Sequence, residues 1–271
     1  MNTPTSGFAP VNGLKMYYEV TGEGEPLVFV HAGVADHRLW DDQVPHFSQK
    51  YRIITFDMRG FGQTEPVDTE FTNRRDITAL LDYLGIESAH FVGCSMGGGF
   101  SMDIAVETPQ RVKSLTMVCS GPGGLDLDVE EPEIFSQLEK IAKQGDLDLL
   151  AEYEARAWFD GPTRTADQVN PERRAKAVMM NRMALEHEQK QLGKNVGAMN
   201  PPAYERLSEL KIPVLVIVGE HDVPYIHAAG EYMAEHIPDV RKVLMKDTAH
   251  LPSLEQPDEF NRILDAFLSS L

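Results

Sequence analysis

Five consecutive residues constrain this chain more than any others: Gly93, Cys94, Ser95, Met96 and Gly97 form a Gly-x-Ser-x-Gly run. It closes an apolar, strand-like stretch from His90 to Gly93 and opens a helix-capable stretch from Gly98 to Val106. A residue on so sharp a strand-to-helix turn is held in a strained backbone, and small residues two places away let neighbouring backbone pass close. That accounts for glycine at 93 and 97. The turn also sets the Ser95 hydroxyl at a helix N-terminus, where unpaired amides and the helix dipole favour developing negative charge. The plainer alternative is a glycine-rich turn that only packs the helix close to its sheet.

The rest of the chain supplies the setting such a turn needs. Short β-branched runs, at Pro26 to His31, Tyr51 to Phe56, His90 to Gly93, Val112 to Cys119, Pro213 to Val218 and Arg241 to Met245, alternate with longer runs of helical period. This is the pattern of an α/β fold with a mainly parallel sheet. Leu14 to Val20 alternates as a half-exposed antiparallel edge strand does. Ile77, Leu80, Leu81 and Leu84, and again Phe260, Ile263, Leu264 and Phe267, recur at the spacing of an amphipathic helix packed on a sheet. The rhythm breaks between about Gly121 and Pro202. The expected organisation is a core of residues 1–124 and 203–271, with a helical cap inserted at 125–202.

A serine hydroxyl is a weak nucleophile at neutral pH and needs a base, which in turn needs an orienting acid. Asp222 follows the strand ending at Val218, and His250 follows the strand ending near Met245. Residues just past the C-terminal ends of parallel strands converge on one edge of the sheet. Ser95, Asp222 and His250 are therefore the expected catalytic residues, with Asp126 or Asp128 as the rival acid. Backbone amides of Met96 and of Gly33, in the loop His31 to Val34, are the expected oxyanion donors, Val34 being the fallback for the second. The His31 ring is expected to brace that loop. In the stretch Asp57 to Thr64, an Asp57–Arg59 pair that fixes the loop is favoured over a catalytic carboxylate. His221 reads as a loop residue, and His37, His46, His90, His187, His227 and His236 as structural or surface groups. No His-Glu-x-x-His spacing or paired cysteine motif is present, so neither a metal nor a cofactor is expected.

Charge and composition narrow the partners. A net charge of -17, with acids and bases interspersed, disfavours nucleic acid and anionic membranes. Two cysteines, Cys94 and Cys119, embedded in apolar runs, do not make a disulfide framework. With no signal-like start and no run of membrane-spanning length, the expectation is a soluble cytoplasmic protein. A homodimer is compatible with this reading.

Assembled, these residues closely resemble the α/β-hydrolase superfamily, in particular its bacterial enol-lactonase, esterase and perhydrolase-like branch with a helical cap. The resemblance is carried by His31 to Val34 with Trp40 downstream, Asp57 to Thr64, Gly93 to Gly97, Gly219 to Asp222 and Ala249 to Pro257. Ala32 and Gly33 depart from it, standing where many relatives carry Gly and a larger side chain. The resemblance implies a small-molecule ester or lactone substrate and an acyl-enzyme on Ser95, since dehalogenase and epoxide hydrolase relatives carry aspartate at the elbow. Carbon-carbon bond hydrolysis, or ligand sensing with a retained triad, are the alternatives. Substrate contacts are expected at Val34, Trp158 and Met183. Phe159, Met179 and Met180 line the pocket or fill the cap's own core, and Arg156, Arg173, Arg174 and Arg182 are expected to form a solvated basic face in preference to a site for a substrate carboxylate.

Overall fold

The computed structural model describes residues 5–271. Eight strands form one sheet: β1 Thr5–Val11, β2 Leu14–Thr21, β3 Glu25–Val30, β4 Tyr51–Phe56, β5 Ala89–Cys94, β6 Val112–Val118, β7 Val214–Gly219 and β8 Val240–Met245. Their order is β1-β2-β4-β3-β5-β6-β7-β8. β2 pairs antiparallel with both of its neighbours, and every other pairing in the sheet is parallel. The inner strands β3, β5, β6 and β7 bury nearly every residue, as strands covered by helices on both faces must.

Helices α1 Asn73–Tyr83, α2 Met96–Glu107, α6 Pro224–His236 and α7 Pro257–Leu268 flank the sheet. Ile77, Leu80 and Leu81 of α1, and Phe260, Ile263, Leu264 and Phe267 of α7, are buried as their spacing predicts. Leu84 instead ends α1 as its half-buried cap.

β1 is absent from the sequence reading. It pairs only with β2, alternates exposed with buried residues and contains Gly7 and Pro10, so neither a continuous apolar run nor a strong β propensity marks it. Between β6 and β7 lie helices α3 Glu133–Ala142, α4 Leu147–Ala155 and α5 Pro171–Glu188, with a π-helical turn over Arg156–Asp160. A two-residue pairing, Glu70–Phe71 with Lys194–Asn195, ties the end of this insertion to the loop after β4.

The arginines of the insertion do not form a solvated basic face. Arg174 is clamped between Asp160 and Glu152, Arg173 bonds Asp42 and the Leu254 carbonyl, and Arg182 pairs with Asp148 and Glu186. Acidic partners fold over them, from within the insertion for Arg174 and Arg182 and from Asp42 for Arg173, pairings that composition alone does not reveal. Arg156 lies instead over the Tyr153 ring.

Chain direction across the sheet reverses about β3, because β3 lies between β4 and β5. Loops leaving the C-terminal ends of adjacent strands diverge at such a point and open a crevice. Val30 is in register with Gly93, so the loop after β3 and the turn after β5 rise side by side.

Candidate active site

Ser95 sits between β5 and α2 with φ 52° and ψ -121°, the strained elbow its flanking glycines predict. A Cβ on Gly93 would lie 2.5 Å from the Gly97 carbonyl oxygen, and one on Gly97 would collide with the Val30 and His31 carbonyls. Backbone from β3, β5 and α2 therefore meets at distances that side chains forbid.

The other two residues arrive from β7 and β8. His250 Nε2 lies 2.7 Å from Ser95 Oγ, and His250 Nδ1 lies 2.9 and 3.0 Å from the two carboxylate oxygens of Asp222. A carboxylate only accepts, so Nδ1 carries the proton and Nε2 is left to accept from the serine hydroxyl. Asp222 Oδ1 is held in turn by the Val223 amide at 2.8 Å. Asp222 and His250 are buried, while Ser95 is half exposed at the floor of a cavity. Asp126, the rival acid, lines the outer part of that cavity, whereas Asp222 makes the bond to the imidazole.

The His250 loop is braced from three sides. Trp158 packs its ring 4.5 Å from the imidazole, and its carbonyl accepts from the His250 amide at 3.1 Å. Glu255 accepts from the Ala249 amide at 2.8 Å and from Arg164 at 2.6 Å, while Arg164 also bonds the carbonyls of Phe159, Asp160 and Asp247. Burial pushes the Glu255 carboxyl up to about 7 against the pull of Arg164. Finally, the thiols of Cys94 and Cys119 point at the His250 and Ala249 carbonyls, with burial holding both well above the ordinary thiol range. Sequence reading found neither Arg164 nor Glu255. Their pairing spans 91 residues, and no local pattern announces it.

Gly33 and Met96 are brought together: a Cβ on Gly33 would stand 3.7 Å from the Met96 sulfur. Among the described residues, neither backbone amide donates to a protein acceptor. His31 braces their loop, with Nδ1–H donating to the Ala32 carbonyl and Nε2 accepting from the Met58 amide. Burial lowers its pKa, which keeps the ring neutral for this dual role.

Asp57 fixes its loop through other partners than the expected Arg59. Its Oδ1 accepts from His37 Nδ1 at 2.7 Å and from the His37 amide, and its Oδ2 from the Gln63 amide. Burial by itself would lower His37, yet the hydrogen bond and charge of Asp57, with Asp36 and Glu19, outweigh it and raise that pKa. Arg59 reaches Asp76 of α1 instead, at 2.9 Å.

The predicted substrate contacts separate. Trp158 lines the Ser95 cavity, which has a volume of about 690 Å³. Val34 lines neighbouring hollows beyond Met96, and the Met183 sulfur lies 3.0 Å from an Arg38 nitrogen, away from the Ser95 cavity. Met180 and Phe159 are core residues and Met179 is exposed. The apolar wall comes largely from Phe100, Phe135, Val223, Tyr225 and Ile226, which the sequence reading did not select.

Side chains of Cys119, Asp222 and His250, and of Asp36, His37 and Asp57, come close enough to share a cation. In both groups the carboxylates already accept from protein donors, so hydrogen bonding accounts for their arrangement.

Residues 25–257 match the family described by the α/β hydrolase fold. The chain belongs to that family. It is 29% identical to 3-oxoadipate enol-lactonase 1 of Acinetobacter baylyi over 247 residues, covering 90% of this chain and 89% of the lactonase. It is 30% identical to 2-hydroxy-6-oxo-6-phenylhexa-2,4-dienoate hydrolase of Comamonas testosteroni, covering 97% and 96% of the two chains. Among solved structures it superimposes on the enol-lactonase of Burkholderia xenovorans with TM-score 0.77 and 25% identity, covering 97% and 99%. An N-acyl homoserine lactone degrading enzyme gives TM-score 0.76 and 27% identity, covering 97% and 100%. No helix among the described residues is long and apolar enough to cross a membrane.

Proposed function

We propose that this α/β-hydrolase cleaves carboxylic esters or lactones through an acyl-enzyme on Ser95. One observation carries the reading: the unbroken relay from Ser95 Oγ to His250 Nε2 at 2.7 Å, and from Nδ1 to Asp222 at 2.9 Å. His250 takes the hydroxyl proton as Ser95 attacks the carbonyl. Asp222 holds the imidazole in the required tautomer and stabilises the imidazolium that forms. The amides of Gly33 and Met96, unspent on protein acceptors, receive the oxyanion. His250 then protonates the leaving group, activates water, and the acyl-enzyme is hydrolysed. The helical insertion at 125–202 serves as a lid, with Trp158 supporting the imidazole from above.

A second reading, hydrolysis of an activated carbon-carbon bond, is favoured by the similarity to the dienoate hydrolase over nearly the whole chain. The experiment is a panel of p-nitrophenyl esters, lactones and vinylogous diketones assayed with the parent and with Ser95→Ala. Ester or lactone turnover by the parent, reduced by about 10⁶ in the variant, is the expected result. Turnover confined to diketones selects the second reading. Turnover that survives Ser95→Ala overturns both.

A further inference from the structure

The cavity beside Ser95 is walled by four carboxylates, Asp103, Asp126, Glu130 and Glu131, and among the described residues lining it there is no lysine or arginine. Asp126, Glu130 and Glu131 are exposed around its mouth, where water screens them. Asp103 differs. It lies on α2 two turns beyond the elbow, about 12 Å along the helix axis from Ser95, on the face formed by Met96, Gly99 and Phe100.

Asp103 is 9% exposed, and its Oδ1 is buried without a hydrogen-bond partner among the described residues. Gly123 leaves it room, since a Cβ there would stand 2.9 Å from that oxygen. Arg74 spends its guanidinium on Glu107 and on the Gly197 carbonyl. Burial pushes the Asp103 carboxyl up to about 6 against the attraction of Arg74, with Glu107 adding to the rise. A second cavity of about 450 Å³ shares Phe100, Asp103 and Gly123 with the first, and is lined by Asn73, whose Oδ1 is likewise buried and unpaired. The space beyond the reactive centre therefore presents two unpaired acceptors.

A buried acceptor without a partner is costly, and a ligand that brings a donor recovers that cost on binding. A ligand carboxylate in the same place meets like charge, and Arg74, which lines the second cavity, is already bonded to Glu107 and the Gly197 carbonyl. We infer that Asp103 determines substrate specificity, selecting esters or lactones with an ammonium or hydroxyl donor distal to the scissile carbonyl and rejecting those with a carboxylate there. This rests on the hydrolase reading above. It also separates the chain from relatives named for an oxoadipate and a dienoate.

The test uses p-nitrophenyl esters of hexanoate, 6-hydroxyhexanoate, 6-aminohexanoate and adipate, which differ only in their distal group. Expected kcat/KM falls in the order ammonium, hydroxyl, methyl, carboxylate, with ammonium over methyl by roughly 10- to 100-fold. Asp103→Asn should cut that ratio by roughly tenfold, and Asp103→Ser makes the same comparison if the first variant fails to fold. The hexanoate ester preferred over both donor-bearing esters, or a ratio unmoved by the substitution, overturns the inference. Calorimetry on the Ser95→Ala protein with hexylammonium and hexanoate separates binding from chemistry. Tighter hexylammonium binding without turnover of any ester keeps the donor subsite and breaks the hydrolase reading. Equal or tighter hexanoate binding removes the subsite whatever the turnover.

Discussion

The two ends of one cavity are built on opposite principles. At the reactive end the three side chains of the relay are all spoken for: Ser95 by His250, His250 by Asp222, Asp222 by the Val223 amide. At the far end Asp103 Oδ1 has no hydrogen-bond partner among the described residues. A proton relay depends on fixed distances, so its members are locked by their neighbours. A recognition group depends on spare bonding capacity, so it is left unpaired at some cost to the fold. Where binding a substrate completes one network and leaves the other intact, catalysis and selectivity are separable by mutation.

The largest effect that sharpens this comparison lies at the locked end. Asp222→Asn keeps the shape but favours the wrong imidazole tautomer, and kcat on the preferred ester should fall by about 10⁴ in steady-state assays. A fall of less than about tenfold would mean that Asp222 does not orient His250. The smaller effect lies at the unpaired end and reads stability. A carboxyl raised to about 6 when folded destabilises the fold only when ionised. That cost is absent below about pH 4, grows between pH 4 and 6, and is complete above. Asp103→Asn should therefore raise Tm by about 2 to 6 °C at pH 8 and leave it near the parent value at pH 4, by calorimetry. A lower Tm at pH 8 would show that Asp103 has a stabilising partner and is not held in reserve.

The same contrast explains what the sequence disclosed. Ser95, Asp222 and His250 each stand just beyond a strand end. Around Ser95, Gly93 and Gly97 exist because backbone passes where side chains would clash, so the geometry leaves a local trace. Asp103 leaves none. It is one of two acids in a mostly apolar helix, and its isolation arises only when the segment around Gly123 folds across it. Arg164 and Glu255 were invisible for a related reason, being partners drawn from the insertion and from the loop after β8. Met183 illustrates the converse. Its type suits an adaptable pocket, but α5 turns it toward Arg38 rather than toward Ser95. Val34 follows a legible strand, yet Met96 stands between its hollow and the Ser95 cavity. The parallel core was legible because buried strands are near-continuous apolar runs, whereas β1, with Gly7 and Pro10 on the sheet edge, has no such run to read.

The most direct measurement of the central claim is covalent capture of the nucleophile. Intact-protein and peptide mass spectrometry after treatment with an alkyl fluorophosphonate should show a single phosphonyl group, located on Ser95. Labelling should be slowed strongly by His250→Ala, whose product no longer has a base at 2.7 Å from the hydroxyl. A label on another residue, or labelling at Ser95 that proceeds as fast without the imidazole, would contradict the account.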